Sequence, residues 1–313
     1  MWTDNVLNWS HKTREVAKAM TLLEFMSKFQ DEATCRAYLF EKRFPQGFIC
    51  PKCGGKECGK VETRGVYQCK ACRYQVSCTA GTVLHRTHIA LVKWFLAMFL
   101  VATDKRGSSA VYLSKEIGVS YKTAWFLLHR LRSAMGQRDS EYVLSGIVEM
   151  DDTYFSNGSK TGKRGRGTGK AKVIAAVSKD DKGRPKYLKM KVIPNLKGKT
   201  IGNFAVGSIA DKSQIQTDAY NSYRKPLSER YSHEYEVFSK DSEALHWVHK
   251  MIANAKALVN GTHHGLTDRH LQAYLDEFCF RFNRRYFSNG IFDRLALAAV
   301  SATPLTWGQL MMS

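Results

Sequence analysis

Four cysteines stand in two pairs, Cys50–Cys53 and Cys69–Cys72, with fifteen residues between the pairs. A two-residue gap lets one tight knuckle present both thiolates to a single ion, and four thiolates complete a tetrahedral zinc site. Pro51 and Gly54–Gly55 supply turn chemistry at the first knuckle, and Gln68 and Lys70–Arg73 flank the second. Such an ion is structural, because four protein ligands leave no open position for substrate. A redox dithiol fits less well, since one pair would serve it and a thioredoxin-like βαβ pattern is missing. Cys35, Cys58, Cys78 and Cys279 lack a partner at that spacing and read as packing residues.

A second chemistry is carried by oxygen. GIVEMDDTY (146–154) reads as a strand with an acidic end, and alternation puts Glu149 and Asp151 on one face and Asp152 on the other. SQIQTD (213–218) is another short strand, ending in Asp218. Two aspartates at the ends of neighbouring strands can share Mg²⁺ or Mn²⁺, for which hard oxygen ligands are suited. Phosphoryl transfer on DNA commonly uses two such ions ~3.5–4 Å apart. Taken alone, either aspartate serves equally well as a turn or capping residue. A third ligand is expected from the helix EALHWVHKMIANAKAL (243–258). His249 and Lys256 share one face of it, whereas Asn254 lies ~140° round from His249. Neither His249 nor Asn254 is an acid, and a core or surface role for His249 stands beside a direct one. Glu243, at the very start, reads as a cap.

These groups need elements to hold them. The chain has 313 residues, enough for about two domains at ~150 residues each. Its 48 Lys+Arg against 28 Asp+Glu leave +20, with a pI near 9.6, which suits a polyanionic partner, nucleic acid before acidic membrane. Hydrophobic content of 44% excludes a wholly disordered basic tail. No apolar run approaches the ~18 residues of a membrane span. The N-terminus lacks the apolar core of a secretion signal, and no long basic amphipathic helix suggests a membrane surface. From Ile89 to Ala102 the apolar residues follow helical spacing. In residues 108–135, Leu113, Ile117, Val119, Ala124 and Leu127 fall where a helix-turn-helix places its core, with Gly118 at the turn. Ser120 would cap the second helix, leaving Tyr121, Lys122 and Thr123 where base edges or phosphates are met. Arg130 and Arg132 extend that basic surface; an ordinary helical hairpin is the alternative. Residues 160–172 hold six basic residues, no acid and four glycines. Lys163, Arg164 and Arg166 there suit a loop on phosphate backbones, or a merely solvated one. Residues 173–178 and 187–193 read as strands, and 197–209 as a helix.

The ordered series FICPKCGG, YQCKACRYQVSCTAGTVLHRT, KWFLAMFL, GVSYKTAWFLLHRLR, VEMDDTYF, TDAY, GTHHG and LDEFCFRFNRR resembles the zinc-ribbon insertion-sequence transposases of the DDE class, from about Met20 onward. The resemblance implies a multidomain chain. It comprises an N-terminal helical segment (1–45), a zinc ribbon (46–80), a helix-turn-helix DNA-binding domain (81–138), an α/β ribonuclease H-like catalytic domain with a mixed sheet (144–292) and a C-terminal tail (293–313). By position, VEMDDTY makes Asp151 the first catalytic carboxylate and TDAY makes Asp218 the second. In branches with a full acidic triad, Glu stands seven residues before a helical lysine, itself five before Gly-Thr. Lys256 precedes Gly261–Thr262 by five, so His249 occupies the Glu position. Other branches use Asn, and IANAK makes Asn254 that candidate. The family's Glu-Arg-Arg signature fits Glu277, Arg281 and Arg284, which share a helical face and either brace the site, bind phosphate or form structural salt bridges. The resemblance further implies binding of terminal inverted repeats and target DNA, strand cleavage and transfer with Mg²⁺ or Mn²⁺, and a dimer or higher assembly on DNA. It also implies a cytoplasmic, nucleoid-associated prokaryotic setting. A non-catalytic DNA-binding descendant and a nuclease or resolvase are the competing readings.

Overall fold

The computed structural model describes residues 20–104, 106–155, 170–237, 245–263, 266 and 268–312. Lys163, Arg164, Arg166 and Glu243 lie outside the described residues.

Two helices, α1 (Leu22–Lys28) and α2 (Glu32–Arg43), lead into a three-stranded antiparallel ribbon, β1 (Cys58–Val61), β2 (Val66–Cys69) and β3 (Gln75–Val76). Each helix starts on a side-chain cap, Thr21 for α1 and Asp31 for α2. Such short strands bury little, so the ribbon leans on aromatic rings from α2. Phe40 stacks on Tyr67 at 3.8 Å between centroids, and Phe44 and Phe48 continue the layer.

The next helices are α3 (Leu91–Thr103), α4 (Ala110–Glu116) and α5 (Tyr121–Ser140). Trp94, Phe95 and Met98 of α3 are fully buried, as helical spacing predicts. Gly118 turns α4 into α5 at φ +59°, a conformation that glycine adopts without strain, and Ser120 Oγ accepts the Thr123 N–H to start α5. Leu113, Ile117, Ala124 and Leu127 are buried and Val119 packs beside them.

Beyond α5 comes a five-stranded mixed sheet of order β6-β5-β4-β7-β8, made of β4 (Ile147–Phe155), β5 (Ala171–Lys179), β6 (Pro185–Ile193), β7 (Gln214–Asp218) and β8 (Ser232–Glu236). β4–β5 and β5–β6 pair antiparallel, β4–β7 and β7–β8 parallel. β5 is apolar on both faces because both are covered. Val173, Ala175 and Val177 face α8 (His246–Thr262) and α9 (Leu271–Asn283). Ile174 and Ala176 face α6 (Gly198–Ser208) and α7 (Asn221–Ser228). Among the described residues no helix is long and apolar enough to cross a membrane.

The C-terminal residues correct one expectation. Among the described residues of the segment expected as a tail, α10 (Ile291–Ser301) buries Leu295, Ala296, Ala298 and Ala299 against α2, α3 and α5. Its apolar residues recur at helical spacing, so the burial follows from the sequence once a partner face exists. The segment before residue 46 likewise adds Phe25, Phe29, Cys35 and Leu39 to that same core rather than standing apart.

The helical core meets the sheet where α5 crosses α9. Gly136 permits that approach, since a Cβ there would lie 2.4 Å from Asp276 Oδ2. Burial pushes the Asp276 carboxyl up to about 7, although Gln272 Nε2 donates to it at 2.8 Å. Between pH ~4 and ~7 the unfolded chain releases this proton while the native one keeps it, so stability falls across that window. The ceiling is ~4 kcal/mol at 1.36 kcal/mol per pH unit, and incomplete burial reduces it to about 2. Asp276→Asn should therefore raise the urea midpoint at pH 8 and leave it unchanged at pH 4; equal gains at both would refute the account.

Candidate active site

β4 and β7 run parallel with Glu149 opposite Gln216. Two residues further along each strand come Asp151 and Asp218, which therefore share a face on adjacent strands ~4.8 Å apart. Asp218 closes β7, and its Oδ1 accepts the Tyr220 N–H at 3.1 Å, which bends the chain away from the sheet. Asp151 Oδ1 accepts the Asp152 N–H at 2.8 Å. Asp152 points to the opposite face, as alternation predicts, and accepts Tyr223 Oη at 3.1 Å.

Helix α8 lies over this carboxylate face. His249 Nε2 sits 3.1 Å from Asp151 Oδ2. That hydrogen bond raises the imidazole above its ordinary pKa, against the opposing effect of burial. Two turns on, Lys256 is half-buried beside the Phe155 ring at 5.9 Å, and burial lowers its ammonium although Asp151 opposes this. Asn254 is exposed on α8. The fold thus brings His249 and Lys256 toward Asp151 and leaves Asn254 on the outer side of the helix.

Glu149 is the member of this site that the sequence reading passed over. It is 3% exposed, and its Oε2 accepts the N–H groups of Trp247 and Val248 at 2.8 and 2.9 Å. These are free donors of the first turn of α8, whose cap residue Leu245 offers no side-chain acceptor. Glu149 Oε1 also pairs with Lys179 Nζ at 3.2 Å, and Lys179 in turn reaches Gln216 Oε1 at 2.7 Å. A strand carboxylate two residues from Asp151 therefore fixes the helix that carries His249. Glu149→Ala would strand Lys179 and two N–H groups, with an expected loss of about 3 kcal/mol. Glu149→Gln, which keeps an acceptor, should lose less. Urea unfolding of both variants measures this, and equal losses would assign the effect to Lys179 alone.

In the ribbon, the Sγ atoms of Cys50, Cys53, Cys69 and Cys72 all lie within 4.8 Å of one another. Cys50–Cys72 and Cys53–Cys69 are each 3.6 Å apart. That is far beyond a disulfide at ~2.05 Å and close to the ~3.8 Å edge of a tetrahedron with ~2.3 Å zinc–sulfur arms. The four-cysteine cluster fits a structural zinc ion. Among the described residues no other group of three or more potential ligands comes that close.

A family model described as the transposase zinc-ribbon domain matches residues 30–75, and one described as the ISXO2-like transposase domain matches residues 143–283, which includes both aspartates and α8. Over these two segments the chain is similar to zinc-ribbon transposases of the ISXO2-like kind. A relative from Halobacterium salinarum, an uncharacterized protein in transposable element ISH50, is 27% identical over 278 residues, covering 81% of this chain and 91% of its own. Among solved structures, a pre-cleavage Mos1 transpososome matches 68% of this chain and 79% of its own at 12% identity and TM-score 0.28. A Mos1 mariner paired end complex with Mn matches 66% and 78% at 11% identity and TM-score 0.29.

The residues read as a Glu-Arg-Arg signature sit at the seam between helical core and sheet. Glu277 is 1% exposed and accepts Arg132 Nε at 2.7 Å and Arg281 Nη1 at 3.5 Å. Burial pushes its carboxyl up, but the two guanidinium groups outweigh this and hold it below its ordinary value. Arg281 donates onward to the carbonyls of Val101 and Asp104 at the end of α3. Arg284 turns elsewhere, to Asp139 Oδ1 of α5 at 2.7 Å. Two arginines assigned to a basic outer surface are therefore relocated. Arg132 is buried on Glu277 and the Tyr274 ring, and Arg130, 7% exposed, donates to His85 O at 2.5 Å. Tyr121 and Lys122 are exposed and Thr123 is partly so.

Proposed function

We propose that this chain binds the terminal inverted repeats of an insertion sequence and carries out metal-dependent DNA strand cleavage and strand transfer. The observation that carries this reading is the pair Asp151 and Asp218 on one face of neighbouring parallel strands, under a helix that presents His249 to Asp151. Two carboxylates with hard oxygens suit Mg²⁺ or Mn²⁺. When bound, such ions would activate an attacking oxygen and stabilise the leaving one in an in-line displacement. Asp151 and Asp218 hold them; His249 orients Asp151 and stands in the third position, in preference to the exposed Asn254. Lys256 contacts a phosphate of the bound strand. Glu277, Arg281 and Arg284 brace the sheet against the helical core and act on the site through that support.

DNA is met by α4 and α5 as a helix-turn-helix, through Ser120, Tyr121, Lys122 and Thr123, with the zinc ribbon beside it. Arg130, 7% exposed, lies behind this surface rather than on it. Lys163, Arg164 and Arg166 add contacts to phosphate backbones, in keeping with the net charge of +20. Joining two ends in one event calls for two copies, so the active form is a dimer or higher assembly on DNA.

The test is incubation of the purified protein with Mg²⁺ or Mn²⁺ and DNA carrying the repeats that flank its own gene. Nicking at the repeat ends followed by joined products supports the transposase. Tight end binding without cutting in either metal favours a DNA-binding descendant, a reading that His249 in the acidic position would explain. Cutting without joining assigns a nuclease.

A further inference from the structure

At the start of α5 a cleft of about 200 Å³ opens between α3, α5 and the C-terminal helix α11 (Trp307–Met312). Trp94, Phe126 and Trp307 form its walls, with Lys122, Thr123 and Arg130 alongside. Trp307 meets Phe126 edge-on at 5.3 Å between centroids, and Lys122 Nζ lies 4.6 Å from the Trp307 ring centre. The segment that carries Trp307 is tied down. Thr303 donates its N–H and hydroxyl to Gln137 Oε1 of α5, each at 2.9 Å, and Thr306 and Gln309 cap the first turn of α11 reciprocally.

Arg130 is the buried polar member. Its Nη2 donates to His85 O, but its Nε, shielded from water, has no hydrogen-bond partner among the described residues. The guanidinium carbon lies 5.6 Å from the Trp94 ring centre and 5.3 Å from that of Phe126, which places the group against the aromatic walls. The volume falls below the ~300–1,000 Å³ of pockets for drug-sized ligands, which leaves room for one planar heterocycle and not for a whole nucleotide cofactor. Aromatic walls suit a π face, a guanidinium donor suits a ring nitrogen or carbonyl, and the Lys122 ammonium at the edge suits a phosphate. A base still attached to its DNA strand offers all three.

We propose that this cleft receives a single nucleobase swung out of the DNA duplex bound by α5. The inference rests on the reading of α4 and α5 as the DNA-contacting element. It gives the C-terminal helix a part in recognition, with Trp307 as a stacking wall and Arg130 as the donor to the base edge.

A base leaves the stack more readily when it is mispaired. Fluorescence anisotropy titrations of the full chain would therefore use duplexes of its flanking inverted repeats in which one mismatch is moved along the site. The expected result is a position where the mismatch tightens binding about tenfold, with the gain lost in Trp307→Ala and retained in Trp307→Phe, which keeps an aromatic wall. Binding of the matched duplex with no position that gains from a mismatch would overturn the cleft and leave the helix-turn-helix reading intact. A gain that persists in Trp307→Ala would overturn it too. No binding of the matched duplex would end both readings together.

Discussion

Asp151→Asn is expected to lower metal-dependent strand cleavage by ~10³-fold or more, since it withdraws one of two carboxylates from ions whose stabilisation of the transition state is worth several kcal/mol. The fold should survive it. The substituted amide would retain an oxygen for the Asp152 N–H now held at 2.8 Å, and the partner lost, His249, is 40% exposed at its side chain and can be solvated. Asp218→Asn should have an effect of the same size, because the strand register puts the two aspartates on one face of neighbouring strands. End binding measured by gel shift should stay within a few-fold of the wild type in both. Undiminished cleavage by either variant would remove it from the catalytic site. A parallel pair, His249→Ala and Asn254→Ala, distinguishes the third position: the loss should follow the residue that touches Asp151.

Loss of zinc should have the largest effect on stability. The ribbon has strands of four, four and two residues, and its buried apolar set is little more than Phe48, Val76 and two of the cysteines themselves. Metal binding in comparable small domains supplies ~10–16 kcal/mol of folding free energy at neutral pH, so without the ion this segment has no stable alternative fold. Cys50→Ser and Cys69→Ser should each release the metal, expose residues 46–80 to protease and abolish end binding. The core of α3, α5 and α10 should persist, because none of its buried residues comes from the ribbon strands. Zinc content measured by atomic absorption is the direct check. Full stoichiometry in both variants would sink the four-ligand site.

How much of this was legible beforehand depends on the range of the interaction concerned. The cysteine spacing and the alternation in GIVEMDDTY are local, and both the sulfur cluster and the opposite orientations of Asp151 and Asp152 follow from them. β8 is harder to see: SHEYE is an exposed edge strand with no apolar alternation to betray it. Arg132 looked like surface charge because its partner Glu277 lies 145 residues away. Glu149 was placed on the correct face, yet its role depends on backbone donors of a helix 98 residues downstream, which carry no side-chain signature. The burial of α10 was missed for the same reason, since an amphipathic helix near the end of a chain does not say what it packs on.

The position of α10 in the chain has a consequence for biogenesis. Residues 291–302 complete a core whose other members, apart from Phe280 of α9, all come from the part of the chain that ends with α5 at residue 140. At ~5–20 residues per second the ribosome needs roughly 8–30 s to travel from the end of α5 to α10. Through that interval the nascent helical module holds apolar surface that nothing yet covers. Its last partner arrives only after the whole catalytic sheet has been synthesised. The helical module is thus not a unit that matures first, because its core closes only once the sheet that follows it has been made.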